Sequence, residues 1–354
     1  MVRVVIIFGG RSGEHEISLA SARAIADALR ERGCYEVFPV GITREGRWVS
    51  SGDPMRELES RAGREPAGAS SSVVELAAPA SERLPVDLLG DADVVFPVLH
   101  GPYGEDGTVQ GMLELAGIPY VGSGVLASAI GMDKVMMKKV FAFHGLPQVR
   151  WLGLTRKEWQ GDRSRFAREV EGDLDYPCFV KPSNLGSSVG INKATDTGEL
   201  EHALEVAFEL DRRAIIEQGV DAREVEVSVL GNEEAETSVP GEIFVSGYEF
   251  YDYKAKYTEG AMELVAPAEM PDGAAEELRR VARTAYSAVD AAGMARVDFF
   301  LERGTGRLLL NEINTIPGFT PTSVYARLWA ASGLSYKELL DRLIQLALER
   351  HGTL

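Results

Sequence analysis

The sequence contains very little cysteine and comparatively little positive charge. Its two cysteines, Cys34 and Cys178, are far apart, which excludes a disulfide framework and a cysteine-based metal site. We expect both to be small, buried hydrophobic residues. Among 354 residues, 37 Lys and Arg stand against 54 Asp and Glu, for a net charge of −17. Such a chain would repel nucleic acids and anionic membranes, although a small phosphorylated ligand responds to its local surroundings.

Long hydrophobic runs are also absent. No apolar segment approaches the length that spans a bilayer. The apolar run at residues 4–8 is short and ends in Gly9-Gly10 without a small-residue cleavage site, so it lacks the pattern of a secretion signal. The hydrophobic content of 45% and the charged content of 26% are typical of a globular protein. We therefore expect a cytoplasmic protein with reduced cysteines.

The first third of the chain alternates short apolar runs with helical periodicity. Residues 3–8, 37–40 and 94–99 are predicted to be buried strands, and residues 17–29 and 108–116 have the apolar spacing of helices. Strands that alternate with helices predict a parallel sheet, which binds ligands at the ends of its strands. A chain of this length is also too long for one core, so two or three domains are expected.

The pattern changes after the parallel-sheet region. The elements predicted there are a helix at 133–144, a Gly/Ser loop within 179–190, strands from 217 onward, an aromatic-rich stretch at 248–257, helices near 274–292 and 336–350, and a hairpin between those helices. We therefore divide the chain into an N-terminal α/β substrate domain (1–122), a small central domain with the Gly/Ser loop (123–217), and a C-terminal domain with the hairpin (218–354).

The hairpin gives the sharpest structural prediction. Residues 296–300 and 310–314 flank Gly304-Thr305-Gly306, which is suited to a three-residue loop. That register places Asp298 opposite Glu312. Because side chains alternate between faces with a period of two, the polar groups of both strands then share one face. They are Arg296, Asp298, Glu312 and Asn314.

Two interpretations of this polar face are possible. Facing carboxylates repel each other unless a cation lies between them, and carboxylate and amide oxygens are ligands that suit Mg²⁺. The alternative is a solvated face on which Arg296 pairs with the acids. We favour the metal site, because Val297, Phe299 and Ile313 on the opposite face supply the core.

A second unusual segment, FVKPSNLGSSVG at 179–190, has a lysine before its glycines, the reverse of the order in a P-loop. Taken alone, it is explained equally well as a surface turn. Together with the hairpin it resembles the layout of the ATP-grasp enzymes, which clamp ATP between two small sheets. In that layout Lys181 reaches the phosphates from a strand, and the Gly/Ser loop closes over them as a lid.

Further segments resemble the D-alanine–D-alanine ligase family, in that family's order and over nearly the whole chain. They are GGRSGEHEIS (9–18), HGPYGEDGTVQG (100–111), MDK (132–134), KPSNLGSSVG (181–190), FYDYKAKY (250–257), RVDFF (296–300) and NEINTIPGFTPTS (311–323). The resemblance implies an α/β, three-domain ATP-grasp fold, α+β in the C-terminal half, behind an N-terminal parallel-sheet domain. It also implies ATP-dependent ligation of two D-alanines through an acyl phosphate, for peptidoglycan precursors.

The resemblance also implies where ATP and its metal ions bind. The expected ATP-binding residues are Lys134, Lys181, Ser188, Glu217, Gln218, Val220, Glu224, Lys256 and Phe300. Lys134 and Lys181 would hold phosphates, since a compact ammonium on a flexible stem can follow a moving phosphate. Glu217 would lie near the adenine and Glu224 at the ribose. The expected ligands of two Mg²⁺ or Mn²⁺ ions are Asp298, Glu312 and Asn314.

For the amino-acid substrates, the resemblance implies catalytic roles for Glu14, Ser187, Tyr257, Arg296, Gly318 and Ser323. Glu14 would bind the ammonium of the first D-alanine. Arg296 and the Gly318 N–H would stabilise the oxyanion, and Ser323 would hold the carboxylate of the second D-alanine. Ser187 and Tyr257 would complete the pocket. His100 is either a direct contact or a neutral histidine at a strand end.

Several alternatives remain open at this stage. A D-alanine–D-serine or D-alanine–D-lactate ligase would use the same fold, although Tyr257 argues against lactate. An NAD-dependent dehydrogenase is disfavoured because GGRSGE lacks the Gly-x-Gly-x-x-Gly pattern. A non-catalytic ATP-binding regulator is disfavoured by the complete set of metal ligands. The resemblance also implies a homodimer, with the apolar helix 17–29 as one possible contact. The net charge and the lack of long apolar runs predict no nucleic-acid or membrane partner.

Overall fold

The N-terminal strands form a mainly parallel sheet, as the alternation of strands and helices predicts. The computed structural model describes residues 1–62, 89–186, 189–245 and 262–352. The first strands are β1 (Val2–Gly9), β2 (Tyr35–Ile42), β3 (Trp48–Val49) and β4 (Val94–Val98), in the order β3-β2-β1-β4. Strand β1 is parallel to both of its neighbours. Helices α1 (His15–Arg32), α2 (Pro54–Ala62) and α3 (Thr108–Ala116) accompany this sheet.

The turn after β1 brings the loop of residues 10–14 to the end of the sheet. Gly9 has a φ of 91°, and a Cβ there would lie 2.2 Å from the Ile42 carbonyl oxygen, so only glycine fits. Cys178 is fully buried, as predicted. The prediction for Cys34 is wrong, because this residue lies exposed in the turn between α1 and β2.

The central part of the chain has its own antiparallel sheet. Its strands are β5 (Trp151–Thr155), β6 (Cys178–Pro182), β7 (Asn192–Ala194) and β8 (Arg213–Gln218), in the order β5-β8-β6-β7. The helices are α4 (Val125–Met132), α5 (Lys134–Phe143), α6 (Arg156–Gly161), α7 (Arg163–Glu169) and α8 (Thr197–Leu210), with a π-helical turn at Val170–Leu174. Val180 and Ile216 face the core under α8, so the alternate residues Lys181 and Glu217 face the other way.

The C-terminal sheet contains the predicted hairpin. Its strands are β9 (Ala222–Gly231), β10 (Glu236–Thr237), β11 (Gly241–Val245), β12 (Met262–Val265), β13 (Gly293–Glu302) and β14 (Leu308–Asn314), in the order β12-β11-β9-β13-β14 with β10 beside β9. The predicted pairs Arg296–Asn314 and Asp298–Glu312 are confirmed. The register shifts by one residue after Asp298, and residues 303–307 form the connection, which is longer than the predicted three-residue loop.

The last three helices pack against the C-terminal and N-terminal sheets. They are α9 (Ala274–Ala288), α10 (Val324–Ala331) and α11 (Tyr336–Gly352). Helix α9 covers the core face of the C-terminal sheet, whereas Leu340 and Leu343 of α11 pack in one cluster with Ile6 and Phe8 of β1. None of the described helices is long and apolar enough to cross a membrane.

Candidate active site

A cavity of about 470 Å³ is lined by strand residues of the central and C-terminal sheets and by residues that follow β1 and β4 of the N-terminal sheet. Every predicted site residue in the described ranges lies on its wall: Glu14, Lys134, Lys181, Glu217, Gln218, Val220, Glu224, Arg296, Asp298, Phe300, Glu312, Asn314, Gly318 and Ser323. His100 lies there too. The predicted residues Ser187, Ser188, Lys256 and Tyr257 lie outside the described residues. The fold therefore brings together residues that are up to about three hundred positions apart in the sequence.

A buried ionic triad lies at the cavity wall that the central sheet contributes. The Lys181 ammonium lies 2.5 Å from one oxygen of Glu217, and Lys138 lies 2.6 Å from the other oxygen. Burial opposes ionisation, but Lys138 and Lys181 together lower the pKa of Glu217 to about 2. Burial likewise opposes the charge of Lys181, but Glu217 raises its pKa, whereas burial lowers the pKa of Lys138. The triad thus presents one cation, Lys181, to the cavity.

Lys134 lies at the start of α5, where Asp133 fixes the backbone. The Asp133 carboxylate caps the helix by accepting the Met136 N–H at 3.0 Å, and it also accepts the Ser183 hydroxyl at 2.8 Å. Arg213 completes this buried network with an ion pair to Asp133. The Lys134 ammonium donates to the Leu185 carbonyl at 2.6 Å. Lys134 therefore contacts the backbone at the start of the Gly/Ser loop.

The polar face of the hairpin forms the opposite wall. The Arg296 guanidinium donates to both Asp298 oxygens, at 2.8 and 2.7 Å, and its Nε lies 2.9 Å from Glu226 on β9. Arginine thus pairs with one of the acids, as the alternative interpretation of this face anticipated. The face is nevertheless a cavity wall, with Arg296 and Asp298 side chains only 13% and 12% exposed.

The third wall surrounds Glu14. His100 is buried, and its Nδ1–H donates to the Ile316 carbonyl at 3.0 Å, since a carbonyl can only accept. Its Nε2 has no hydrogen-bond partner in the part of the chain that the structure describes. Burial lowers the pKa of His100, so the ring is neutral with a lone pair available. Gly186 is so close that a Cβ there would lie 3.1 Å from a Glu14 carboxylate oxygen.

The loop after β14 brings Gly318 against the start of α10. A Cβ on Gly318 would lie 3.4 Å from the Ser323 hydroxyl oxygen. Ser323 is the N-cap residue of α10, and its hydroxyl accepts the Thr320 N–H at 3.0 Å. The N–H groups and positive dipole of a helix N-terminus favour an anion such as a carboxylate.

Family models described as the D-ala D-ala ligase N-terminus and C-terminus match residues 3–123 and 140–345. The chain belongs to the D-alanine–D-alanine ligase family. It is 47% identical to the D-alanine–D-alanine ligases of Bacillus cytotoxicus and Heliobacterium modesticaldum. Those alignments cover 99% and 98% of this chain and 96% and 95% of the relatives.

Solved structures of similar ligases share the fold. The D-alanine–D-alanine ligase from Coxiella burnetii matches with a TM-score of 0.80 and 32% identity, over 99% of this chain and 95% of that chain. The VanG D-Ala:D-Ser ligase from Enterococcus faecalis matches with a TM-score of 0.81 and 35% identity, over 98% and 99%. The likeness confirms the predicted fold class.

Lys138, Glu226 and Glu105, at or behind the cavity wall, were not predicted from the sequence. For two of them, the sequence contained a pattern that could have indicated a place in the site. Lys138 is one helical turn from Lys134, and Glu226 is two residues from Glu224 on a strand, so each shares a face with a predicted residue. Glu105 lies within the quoted segment 100–111, but nothing in the sequence indicates that its carboxyl is buried.

Glu105 shares the wall around Glu14. Its carboxyl is buried, and one oxygen accepts the Gly101 N–H at 2.9 Å. Burial, and then the nearby Glu14, raise the pKa of Glu105 to about 8. Two acids therefore line this end of the cavity, and one of them holds a proton at neutral pH.

Replacing Glu105 with Gln is expected to flatten the pH dependence of stability. In the folded protein the Glu105 carboxyl keeps its proton up to about pH 8, whereas its ordinary pKa is 4.5. The folded state thus binds the extra proton, and the free energy of unfolding falls as the pH rises from 4.5 through 8. Denaturant midpoints across this range should fall less steeply for Glu105→Gln than for wild type.

The control is Glu209→Gln, at an exposed carboxylate on α8, which should leave the slope of wild type unchanged. If the midpoints of Glu105→Gln and wild type ran parallel across the range, the carboxyl would not hold its proton in the folded protein.

Proposed function

We propose that this enzyme joins two D-alanines into D-alanyl-D-alanine for peptidoglycan precursors, with ATP converted to ADP and phosphate. The observation that carries the proposal is that one cavity holds all the groups the reaction needs. Two lysines suit phosphates, an acid suits an ammonium, an arginine suits developing negative charge, and a helix N-terminus suits a carboxylate. The relatives at 47% identity are D-alanine–D-alanine ligases, whereas the D-Ala:D-Ser ligase is only 35% identical. D-serine as acceptor is therefore the second candidate.

In the first step we propose that the carboxylate of one D-alanine attacks the γ-phosphorus of ATP. The oxygen–phosphorus bond forms as the bond to ADP breaks, which gives an acyl phosphate and ADP. Glu14 holds the ammonium of this D-alanine, with the Nε2 lone pair of His100 as a second acceptor. Lys181 and Arg296 stabilise the charge on the transferring phosphoryl group, and Lys134 holds another phosphate.

The proposed metal ligands are Asp298, Glu312 and Asn314, for two Mg²⁺ or Mn²⁺ ions. Among the residues that the structure describes, no cluster of three His, Cys, Asp or Glu side chains is arranged to hold a metal. The proposed set fits a hard cation nonetheless, because it combines two facing carboxylates with an amide oxygen. Bound metal would neutralise phosphate charge. Asp298 would then exchange its contact with Arg296 for the cation, while Arg296 keeps Glu226.

In the second step we propose that the amine of another D-alanine attacks the acyl carbon, and inorganic phosphate leaves as the carbon–oxygen bond breaks. Arg296 and the Gly318 N–H stabilise the tetrahedral oxyanion. Ser323 and the N-terminus of α10 hold the carboxylate of the attacking D-alanine. The candidate acceptors of the amine's proton are Ser187, Tyr257 and the phosphate.

Phosphate release and product analysis test the function directly. With ATP and Mg²⁺, we expect phosphate release and D-alanyl-D-alanine from D-alanine alone. D-serine or D-lactate added to D-alanine should yield little mixed product. A preference for the D-alanine–D-serine product would favour the second candidate. No phosphate release with any of these amino acids or hydroxy acids would contradict a ligase of this class.

The organisation of the enzyme is also a proposal. The domains 1–122, 123–217 and 218–354 are supported by a separate sheet in each. A cytoplasmic location is supported by the use of ATP.

A homodimer cannot use the apolar face of α1, because Leu19, Ala22 and Ile25 pack in the core. The exposed side chain of Leu115 on α3 is a better candidate, and sedimentation of wild type and Leu115→Asp would test it.

A further inference from the structure

Lys138 is buried behind the cavity rather than exposed to it. Its side chain is 1% exposed, and its ammonium lies 2.6 Å from a Glu217 oxygen. Helix α5 places Lys138 one turn after Lys134, so the two lysines share a face of the helix. Lys181 approaches the other Glu217 oxygen from the cavity side, at 2.5 Å. Glu217 is thus held by one lysine from the cavity and one from behind.

This arrangement bears on how Lys181 can bind a phosphate. To reach ATP, the Lys181 ammonium must give up at least part of its contact with Glu217. If Lys181 were the only cation at Glu217, that movement would leave a buried carboxylate without a partner, which is strongly unfavourable. Lys138 removes this obstacle, because it remains in contact with the carboxylate while Lys181 moves.

We propose that Lys138 is a positioning residue for ATP, which keeps Glu217 neutralised so that Lys181 is released to the phosphates. The proposal rests on the proposed use of ATP, but not on the identity of the amino-acid substrates. Without Lys138, Lys181 is retained by Glu217 and ATP loses a phosphate contact. The fold survives the loss, since Glu217 keeps Lys181 as its partner.

The test compares Lys138→Met with Lys139→Met. Both variants remove one lysine charge from α5, but Lys139 is exposed. Calorimetric titration with Mg·ATP, without any amino acid, should show the Kd for ATP raised about tenfold to a hundredfold in Lys138→Met, the range of one charge-assisted contact. Lys139→Met should bind ATP as wild type does. In steady-state assays the KM for D-alanine should stay within about twofold, since the Glu14 end of the cavity is unchanged.

A second pair of variants separates this role from a purely structural one. With the carboxylate replaced, Lys138 has nothing to neutralise, so Lys138→Met/Glu217→Gln should bind ATP as Glu217→Gln alone does. The proposal is overturned if Lys138→Met binds ATP like wild type, or if the double variant is weaker than Glu217→Gln by the same factor as the single change. A wild type that binds ATP but makes no dipeptide would refute the proposed function and leave this test intact.

Discussion

Arg296→Met is expected to lower kcat by about a hundredfold to a thousandfold, the usual effect of removing one preorganised donor to a transition-state oxyanion. Arg296 is the cation proposed to act in both steps, on the transferring phosphoryl group and on the tetrahedral oxyanion. Two contacts hold its guanidinium in place, the paired bonds to Asp298 and the approach to Glu226. Single-turnover measurements of acyl-phosphate formation and of dipeptide formation should both slow.

The same substitution is expected to destabilise the protein, because it leaves the carboxylates of Asp298 and Glu226 without this cation. Glu226 is only 2% exposed, and breaking a buried ion pair costs about 3–5 kcal/mol. Arg296→Lys should restore much of that stability, since an ammonium can still pair with a carboxylate. It should restore little of the turnover, since an ammonium lacks the planar set of donors that a guanidinium presents to a phosphoryl group and an oxyanion. Thermal melts beside kcat would separate the two effects.

Arg303→Met provides the matched control. Arg303 lies on the same hairpin and pairs with Asp221 at the surface, where its side chain is 56% exposed. Neither kcat nor stability should change by more than the small amount expected of an exposed ion pair. Turnover of Arg296→Met at the rate of wild type would remove Arg296 from the chemistry and leave it a structural partner of the two acids.

Local periodicity explains why the polar face of the hairpin could be predicted from the sequence, whereas the other expected site residues were implied by the family resemblance. A period of two along β13 and β14 suffices to place Asp298 and Glu312 on the face opposite Val297 and Ile313. The register shift after Asp298 could not be predicted, because it depends on how both strands pack against their neighbours. It lies beyond the polar pairs, which is why they were assigned correctly.

Long-range partners account for what the sequence could not predict. The ion pair between Lys138 and Glu217 joins a helix to a strand almost eighty residues later, and no local pattern encodes it. The buried state of Glu105 likewise depends on the loops that cover it. The assignment of Cys34 was wrong for a related reason. Cysteine is usually buried, but this one follows Gly33, the C-cap residue of α1, in an exposed turn. Residue type predicts burial only on average.

Glu312→Gln is expected to have the largest effect on turnover. Glu312 is one of the two facing carboxylates proposed to hold the metal, and its replacement removes a charged ligand while keeping an oxygen. Loss of the charge stabilisation that metal gives the phosphates should lower kcat by about a thousandfold at ordinary Mg²⁺ concentrations. Raising the Mg²⁺ concentration should restore part of the activity, because the remaining oxygen ligands still bind the cation weakly.

The response of Glu312→Gln without metal distinguishes a ligand from a structural residue. Replacing Glu312 relieves its repulsion with Asp298 but also removes its attraction for Lys181 and Lys138. The two effects oppose each other, so the free energy of unfolding in chelator should stay close to that of wild type. Glu302→Gln is the control: Glu302 pairs with Arg307 at the far end of the same hairpin, and its loss should leave turnover and Mg²⁺ dependence unaffected. A clear loss of metal-free stability in Glu312→Gln, with activity that does not respond to Mg²⁺, would make Glu312 a structural ion-pair partner and not a ligand.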